Sequence, residues 1–194
     1  MVARLVPDFE RAFMAINKVE ALLKKVTRAL DRAGVEYAVV GGNAVAAWVA
    51  TVDEAAIRST KDVDILVKRS SLGRIQEALR KLGFDFVEVL GVSMFVDRKD
   101  PSPKRGVHLI FANERIRPEY AHPAPDPKSA VRARRGFMVI DLPNLVKMKL
   151  QSYRLADRVH LIDLRSLDLL SASLIRRLPA DLRKRLRQLE TETN

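Results

Sequence analysis

The chain contains no cysteine, which excludes disulfides and thiolate metal sites. Aromatic residues make up only 6% of its 194 residues, so platforms for stacking single-stranded bases are few. No stretch approaches the roughly 20 uninterrupted apolar residues that a spanning helix needs, and no membrane partner is expected. The opening run M-V-A-R-L-V-P-D-F-E-R soon carries acids and lacks the apolar centre of a signal peptide. A cytoplasmic setting is the simple expectation.

Apolar residues at 47% are enough for a real core, and charged residues at 30% argue for a soluble protein. The length suits one domain, or one domain with a small helical appendage. The 35 basic residues outnumber the 24 acidic ones and leave a net charge of +11. A basic surplus of that size favours polyanionic partners such as RNA, DNA or nucleotides.

Residues 8 to 33 read as a helix, because Phe9, Phe13, Ile16, Val19, Leu22, Leu23, Val26 and Leu30 recur at spacings of three and four. Gly34 is its stop signal. V-E-Y-A-V-V reads as a strand, followed by Gly41 and Gly42 and a helix over 43 to 50 that Asn43 can cap. Residues 51 to 61 read as a loop, K-D-V-D-I-L-V as a strand, and residues 69 to 83 as a helix with Ser70 or Ser71 near its cap. Three strand signals follow: F-D-F-V-E-V, V-S-M-F-V-D and G-V-H-L-I-F. The proline-rich stretch 112 to 135 reads as irregular, F-M-V-I as a short strand, and 143 to 156, 160 to 171 and 179 to 190 as helices. This order implies an α+β fold, an α/β layer with a C-terminal helical part. The expected division is a core over 1–140, including the N-terminal helix, and a helical region over 141–194.

Asp62 and Asp64 stand two apart in a strand-like run, so their carboxylates share one face. Two such charges repel, and burying them is costly. A divalent cation offsets that cost, and magnesium prefers hard oxygen ligands while leaving positions for phosphates. Upstream, the glycine pair at a strand-to-helix turn can offer backbone amides and the positive end of a helix dipole to a triphosphate. Taken singly, each signal also has a plain structural reading: a tight turn for the glycines, a solvated strand end for the acids.

Gly41-Gly42, a short helix and then Arg58-Ser59-Thr60-Lys61-Asp62-Val63-Asp64 resemble the DNA polymerase β nucleotidyltransferase superfamily. More narrowly they resemble the AbiEii-like branch, which includes toxins of toxin–antitoxin pairs. G-G-x-A followed by R-x-T-x-D-x-D is frequent in that branch, and a later K-x-x-x-x-R-x-x-D is matched here by Lys149, Arg154 and Asp157. The resemblance runs from about residue 35 to 165. It implies a mixed sheet flanked by helices, with Gly41, Gly42 and Asn43 facing a nucleoside triphosphate and Asp62 and Asp64 binding Mg2+. It further implies that Lys149 meets phosphate or the leaving pyrophosphate, while Arg58 and Thr60 flank the site as base, phosphate or loop-shaping contacts. By helical spacing Lys149 lies on an apolar stripe, where a lysine either snorkels to water or points at a ligand.

The superfamily usually supplies a third carboxylate from a neighbouring strand. G-V-H-L-I-F offers His108 there, which could accept a proton or ligate a metal, or simply be a half-buried strand residue. Asp97 and Glu114 are the other candidates. Gly42 and Asp62 are 20 positions apart, longer than in many members of the superfamily, so the intervening segment would be a loop over the site. Basic residues cluster as Arg98, Lys99, Lys104 and Arg105; as Lys128, Arg132, Arg134 and Arg135; and as Arg176, Arg177, Arg183, Lys184, Arg185 and Arg187. Each cluster is a solvated face or a phosphate-binding one. The resulting expectation is a Mg-dependent nucleotidyltransferase that moves a nucleoside monophosphate to an acceptor hydroxyl. A tRNA 3′ end is the leading acceptor, and a toxin-like role with an antitoxin partner follows from the resemblance. The alternatives are a degenerate nucleotide- or RNA-binding member and a non-enzymatic basic interaction module.

Overall fold

The computed structural model of the chain describes residues 9–193. Residue 8 and the side chains of Phe9, Phe13 and Lys104 lie outside it. Helix α1 (Phe9–Arg32) buries Leu23, Val26 and Leu30, with Val19 and Leu22 packed beside them. Ile16, expected on the same stripe, is 44% exposed. A helix of 24 residues is about 36 Å long and outruns the five-residue strands beneath it, and among the described side chains the covered stripe begins at Val19. The helix ends as expected at Gly34, whose φ of +60° suits glycine.

Seven strands form one mixed sheet: β1 (Tyr37–Val39), β2 (Val63–Val67), β3 (Phe84–Val89), β4 (Val92–Asp97), β5 (Val107–Phe111), β6 (Val131–Arg132) and β7 (Met138–Val139). Their spatial order is β3-β4-β5-β2-β1-β7-β6. The central strand β2 runs antiparallel to β1 and parallel to β5, and in the second pairing Asp64 stands opposite His108. Val63, Ile65, Leu66 and Val67 of β2 are fully buried, while Asp64 is only partly covered. Helices α2 (Gly41–Val49) and α3 (Leu72–Arg80) follow β1 and β2, and α1 packs on α3 and on β2.

Several boundaries differ from the sequence reading. Strand β2 begins at Val63, so Asp62 lies just before it rather than within it. Helix α2 begins at Gly41, which makes the glycines its first turn. Asn43 therefore sits inside the helix, and Val40 occupies the cap position with no side-chain capping bond. Ser71 does hold the cap position of α3, but its side chain makes no capping bond. The stretch 112–135 is largely irregular but contributes β6, which pairs with β7 at the sheet edge. Both residues of β6 are exposed, so no alternation marked it as a strand.

The C-terminal part contains α4 (Leu142–Ser152), α5 (Leu155–Ser166), α6 (Ala172–Arg176) and α7 (Ala180–Thr193). The first two were expected to meet between 156 and 160. The break instead falls at Tyr153, which adopts φ +48°, because Asp157 caps α5 by accepting from the backbone N–H of Arg154 at 3.3 Å. Helix α5 also stops at Ser166 rather than 171, and Ser171 starts α6 by accepting from Leu174 N–H at 3.2 Å. Helix α4 packs on α2, α5 and α7. A single apolar cluster runs from Leu23 through Val39 and Ile65 to Leu161, Leu164 and Leu189. Residues from both sides of Ile140 thus share one core.

Leu161 is fully buried in α5. Leu161→Ala is expected to cost about 2–5 kcal/mol. Urea unfolding followed by Trp48 fluorescence and by far-UV circular dichroism should give one coincident transition, shifted to lower urea. Two separated transitions would instead show that the helical region folds on its own.

Candidate active site

Strand β1 delivers the chain to the start of α2, where the N–H of Val40 donates to the carbonyl of Asp64 at 3.0 Å. Gly41 then takes φ +66°, and a Cβ on it would fall 2.0 Å from Asp64 Oδ2. Glycine is required there for both reasons. A Cβ on Gly42 would meet Thr60 Oγ1 at 2.8 Å, and the Asn43 side-chain amide donates to the carbonyl of Asp62 at 2.7 Å. The first turn of α2 is therefore seated, residue by residue, along the row Thr60, Asp62, Asp64. Burial and then the neighbouring charge of Asp64 hold the Asp62 carboxyl above its usual range. The free amides of a helix start face the same region.

His108 sits beside Asp64, with Nδ1 at 3.3 Å from Asp64 Oδ1 and Nε2 at 3.2 Å from the carbonyl of Pro103. Both neighbours are acceptors, so the ring is best satisfied when both nitrogens carry protons. The hydrogen bond to Asp64 accordingly raises the affinity of His108 for its second proton, against an opposing effect of burial. When both nitrogens carry protons, the ring donates to Asp64, compensating and orienting it. The other candidates for a third carboxylate are occupied. Asp97 accepts from the N–H of Lys99 at 2.8 Å, and Glu114 takes two bonds of 2.6 Å from Arg69.

Lys149, Arg154 and Asp157 do come together. Asp157 is 1% exposed and accepts from Lys149 Nζ at 2.7 Å, Ser152 Oγ at 2.7 Å and Arg154 Nε at 2.9 Å. Lys149 thus does not snorkel to water; its buried ammonium bonds to Asp157 while the residue lines a cavity. Burial alone would push the Asp157 carboxyl up, but the bonds from Arg154, Lys149 and Ser152 hold it down at about 2. Two cations share that one anion, and the Arg154 side chain is 66% exposed and lies within electrostatic reach of Asp62 and Asp64.

A cavity of about 330 Å3 gathers Gly41, Asp64, His108, Lys149, Arg154 and Asp157. Asn43, Arg58 and Thr60 line a different cavity of about 670 Å3. Gly42 and Asp62 connect the two groups through Thr60, Asn43 and Asp64. Arg58 is bound to Asp163 of α5 at 2.6 and 3.1 Å, which fastens the 51–61 loop to the helical region. Arg69, Arg115, Arg117, Tyr120 and Ser152 line the smaller cavity without having been singled out in the sequence. Arg69 follows β2 directly, a position that could have been noticed. The 115–120 segment arrives only through the chain's path after β5.

Two outcomes follow from this packing. Gly34 and Gly41 share a positive φ, but a Cβ on Gly34 meets nothing within 4 Å. Thermal denaturation should therefore show Gly41→Ala losing clearly more stability than Gly34→Ala, whose cost is about 1–2 kcal/mol. Asp157 has a folded pKa of about 2 against an ordinary 3.8. It contributes about 2 kcal/mol that is fully present above pH 4 and lost as pH falls towards 2. Asp157→Asn should cost about 3–5 kcal/mol at pH 7 by leaving Lys149 buried and unpaired. Urea midpoints between pH 2 and 5 should then be flatter in that variant than in wild type.

Residues 2–143 match the family model described as "Uncharacterised nucleotidyltransferase". No curated protein sequence matches the chain. Among solved structures, the antibiotic-resistance factor ANT(2″)-Ia in complex with adenylyl-2″-tobramycin is similar, with a TM-score of 0.55 at 15% identity over 92% of this chain and 99% of that one. The solution structure of the same factor gives a TM-score of 0.50 at 15% identity over 93% and 86%. An antigenic nucleotidyltransferase-like protein from Paracoccidioides brasiliensis gives 0.50 at 15% identity over 91% and 88%. At that identity the structures show a shared fold, a mixed sheet with flanking helices. With the carboxylate of Asp64 set against the glycine-led start of α2, and the family match extending over residues 2–143, the chain belongs to this family of nucleotidyltransferases.

Proposed function

We propose that the protein is a Mg-dependent nucleotidyltransferase that moves a nucleoside monophosphate from a nucleoside triphosphate to an acceptor hydroxyl. The observation that carries this reading is Asp64 seated against the backbone of Gly41 at the start of α2, with Asp62 beside it. The acceptor oxygen attacks the α-phosphorus. A new oxygen–phosphorus bond forms as the bond to the bridging oxygen breaks, pyrophosphate leaves and the hydroxyl proton passes to solvent.

The residues fit magnesium. Two hard carboxylates are crowded together, and the proximity of Asp64 disfavours the charged form of Asp62, a cost that a cation would remove. Among the described residues no group of three or more His, Cys, Asp or Glu side chains is placed to hold a metal. A pair is nonetheless the usual protein share of a magnesium site completed by phosphates and water. When bound, the ion would neutralise phosphate charge and polarise the attacked group. The protein's own residues do the rest. The amides of Gly41 and Gly42 receive the triphosphate. His108 holds Asp64 in place. Lys149 anchors Asp157, which aims the surplus cation of Arg154 at phosphate. Thr60 and Arg58 shape the loop beside the site.

For the acceptor, the net charge of +11 favours a polyanion, and a tRNA 3′ end is the first to test. Nucleoside triphosphates and tRNA place the reaction in the cytoplasm. The toxin-like setting, with an antitoxin as partner, rests on the AbiEii-like order of motifs. A second reading, a member that binds nucleotide without turnover, is favoured by one observation: a doubly donating His108 stands where a third carboxylate is usual.

The test is nucleotide transfer with purified protein, Mg2+, each α-labelled nucleoside triphosphate and total tRNA. Wild type is expected to label RNA, Asp64→Asn to lose about a hundredfold or more, and His108→Ala about 10–100-fold as a residue that orients a metal ligand. Saturable Mg-nucleotide binding with no transfer to RNA, protein or small hydroxyl compounds would establish the second reading instead.

A further inference from the structure

The larger cavity, of about 670 Å3, lies between α1, α2, the 51–61 loop and the β6–β7 hairpin. The volume falls in the range of about 300–1,000 Å3 typical of small-molecule sites. None of the roles assigned above uses it, apart from the loop-shaping residues on one wall. Its floor is apolar, with Leu23, Ala47, Trp48 and Phe137 among the lining residues. Ile16, Ile57 and Val131 also line it, and they are 44%, 38% and 42% exposed. A soluble protein that leaves such residues open around one concavity has a use for it.

The charge of the rim narrows the occupant. Arg132, Arg134 and Arg135 project from the hairpin, with Lys24 and Arg58 nearby, against only Glu20 and Glu54. Arg135 and Lys24 are taken up by Glu20, at 2.7 and 2.8 Å, and Arg58 by Asp163. Arg132 bonds to the carbonyl of Gly136 at 2.7 Å, which leaves its charge uncompensated. Arg134 is exposed and has no partner among the described residues. The free charge therefore lies along the hairpin, outside the apolar floor, as a series of phosphates would need and a single carboxylate would not. At the other end, Asn43 and Thr60 form polar wall and are the residues that touch the Asp62 carbonyl and Gly42. The row Thr60, Asp62, Asp64 thus has a cavity at each end: one with Arg154 and the amide-led helix start, one apolar with a basic rim.

We propose that this second cavity seats the 3′-terminal nucleotide of an acceptor RNA strand, with its base against the apolar floor beside Trp48 and its phosphates along Arg132 and Arg134. This rests on the nucleotidyltransferase reading, and it brings the terminal hydroxyl in from the Thr60 end while the triphosphate occupies the Asp64 end.

Trp48 is the only tryptophan of the chain, so its fluorescence reports the cavity directly. The experiment titrates wild type, Ala47→Phe and Arg134→Glu with a short single-stranded RNA ending in a free 3′ hydroxyl, without nucleoside triphosphate. Parallel titrations use the aromatic sulfonate anilinonaphthalene sulfonate. A saturable Trp48 change with RNA, weakened about tenfold or more in both variants and unaffected by added ATP, is expected. No saturable change, or equal affinity in wild type and Arg134→Glu, overturns the proposal. So does saturation by the sulfonate with none by RNA, which would make the cavity a site for small amphiphilic acids. If Ala47→Phe fails to fold, the exposed Arg134→Glu decides alone. Transfer to RNA that proceeds unchanged in both variants sinks the cavity and leaves the transferase. RNA binding at Trp48 with no transfer to any acceptor does the reverse.

Discussion

Asp64 lies so close to the backbone of Gly41 that a single methyl group there would overlap its carboxylate, at 2.0 Å from Oδ2. Much else depends on that contact. It goes with a positive φ at Gly41, the residue that opens α2, and it requires α2 to begin at once after β1, because the N–H of Val40 is already bonded to the Asp64 carbonyl. The helix start and the carboxylate are thereby fixed relative to each other by backbone rather than by flexible side chains. The proposed transfer would need that precision, because it requires phosphate and cation to be held within tenths of an ångström. The fully buried residues of β2 on either side of Asp64 make the strand an anchor that local motion does not reach.

A second constraint is the cost of buried charge. Asp157, almost completely covered, holds Lys149, Ser152 and Arg154 about one carboxylate. Removing Lys149 from water is expensive, and the bonds that Ser152 and Arg154 add to Asp157 help to offset that cost. The same carboxylate caps α5, so the break between α4 and α5 and the aim of Arg154 are one structural event. The helical region does more than cover the sheet. It carries a cation to the carboxylates of β2, and its Asp163 grips Arg58 on the loop beside them.

Sequence patterns exposed the parts of this arrangement that are local. Asp62 and Asp64, the glycine pair, β3, β4 and β5 each follow from spacing within a few residues, and the buried stripe of α1 from Val19 onward does too. Boundaries were misread where a distant partner decides them. Asn43 looked like a cap because asparagine often is one, but it bonds to Asp62 O across 19 residues. Tyr153 ends α4 in a left-handed conformation that no aromatic residue advertises. For Lys149 the spacing left water or a ligand as the alternatives and did not show Asp157, which lies eight residues on in the next helix. The rim residues Arg115 and Tyr120 come from an irregular stretch with no period to read, placed only by the path of the chain beyond β5.

His108 gives the site its particular character. On a strand parallel to β2 and in register with Asp64, a carboxylate would add a third negative charge to two that already repel. An imidazole adds no negative charge, adds a positive one when protonated, and stands 3.3 Å from Asp64 Oδ1. The three groups therefore carry a net charge of about −1 when both acids are ionised and the ring is protonated, rather than about −3. A less negative site holds a divalent cation less tightly and repels an incoming triphosphate less. In the proposed reaction, more of the work of gathering phosphate charge would then fall on the chain's own cations, and Arg154, held by Asp157 at the cavity wall, is one the fold has already put in place.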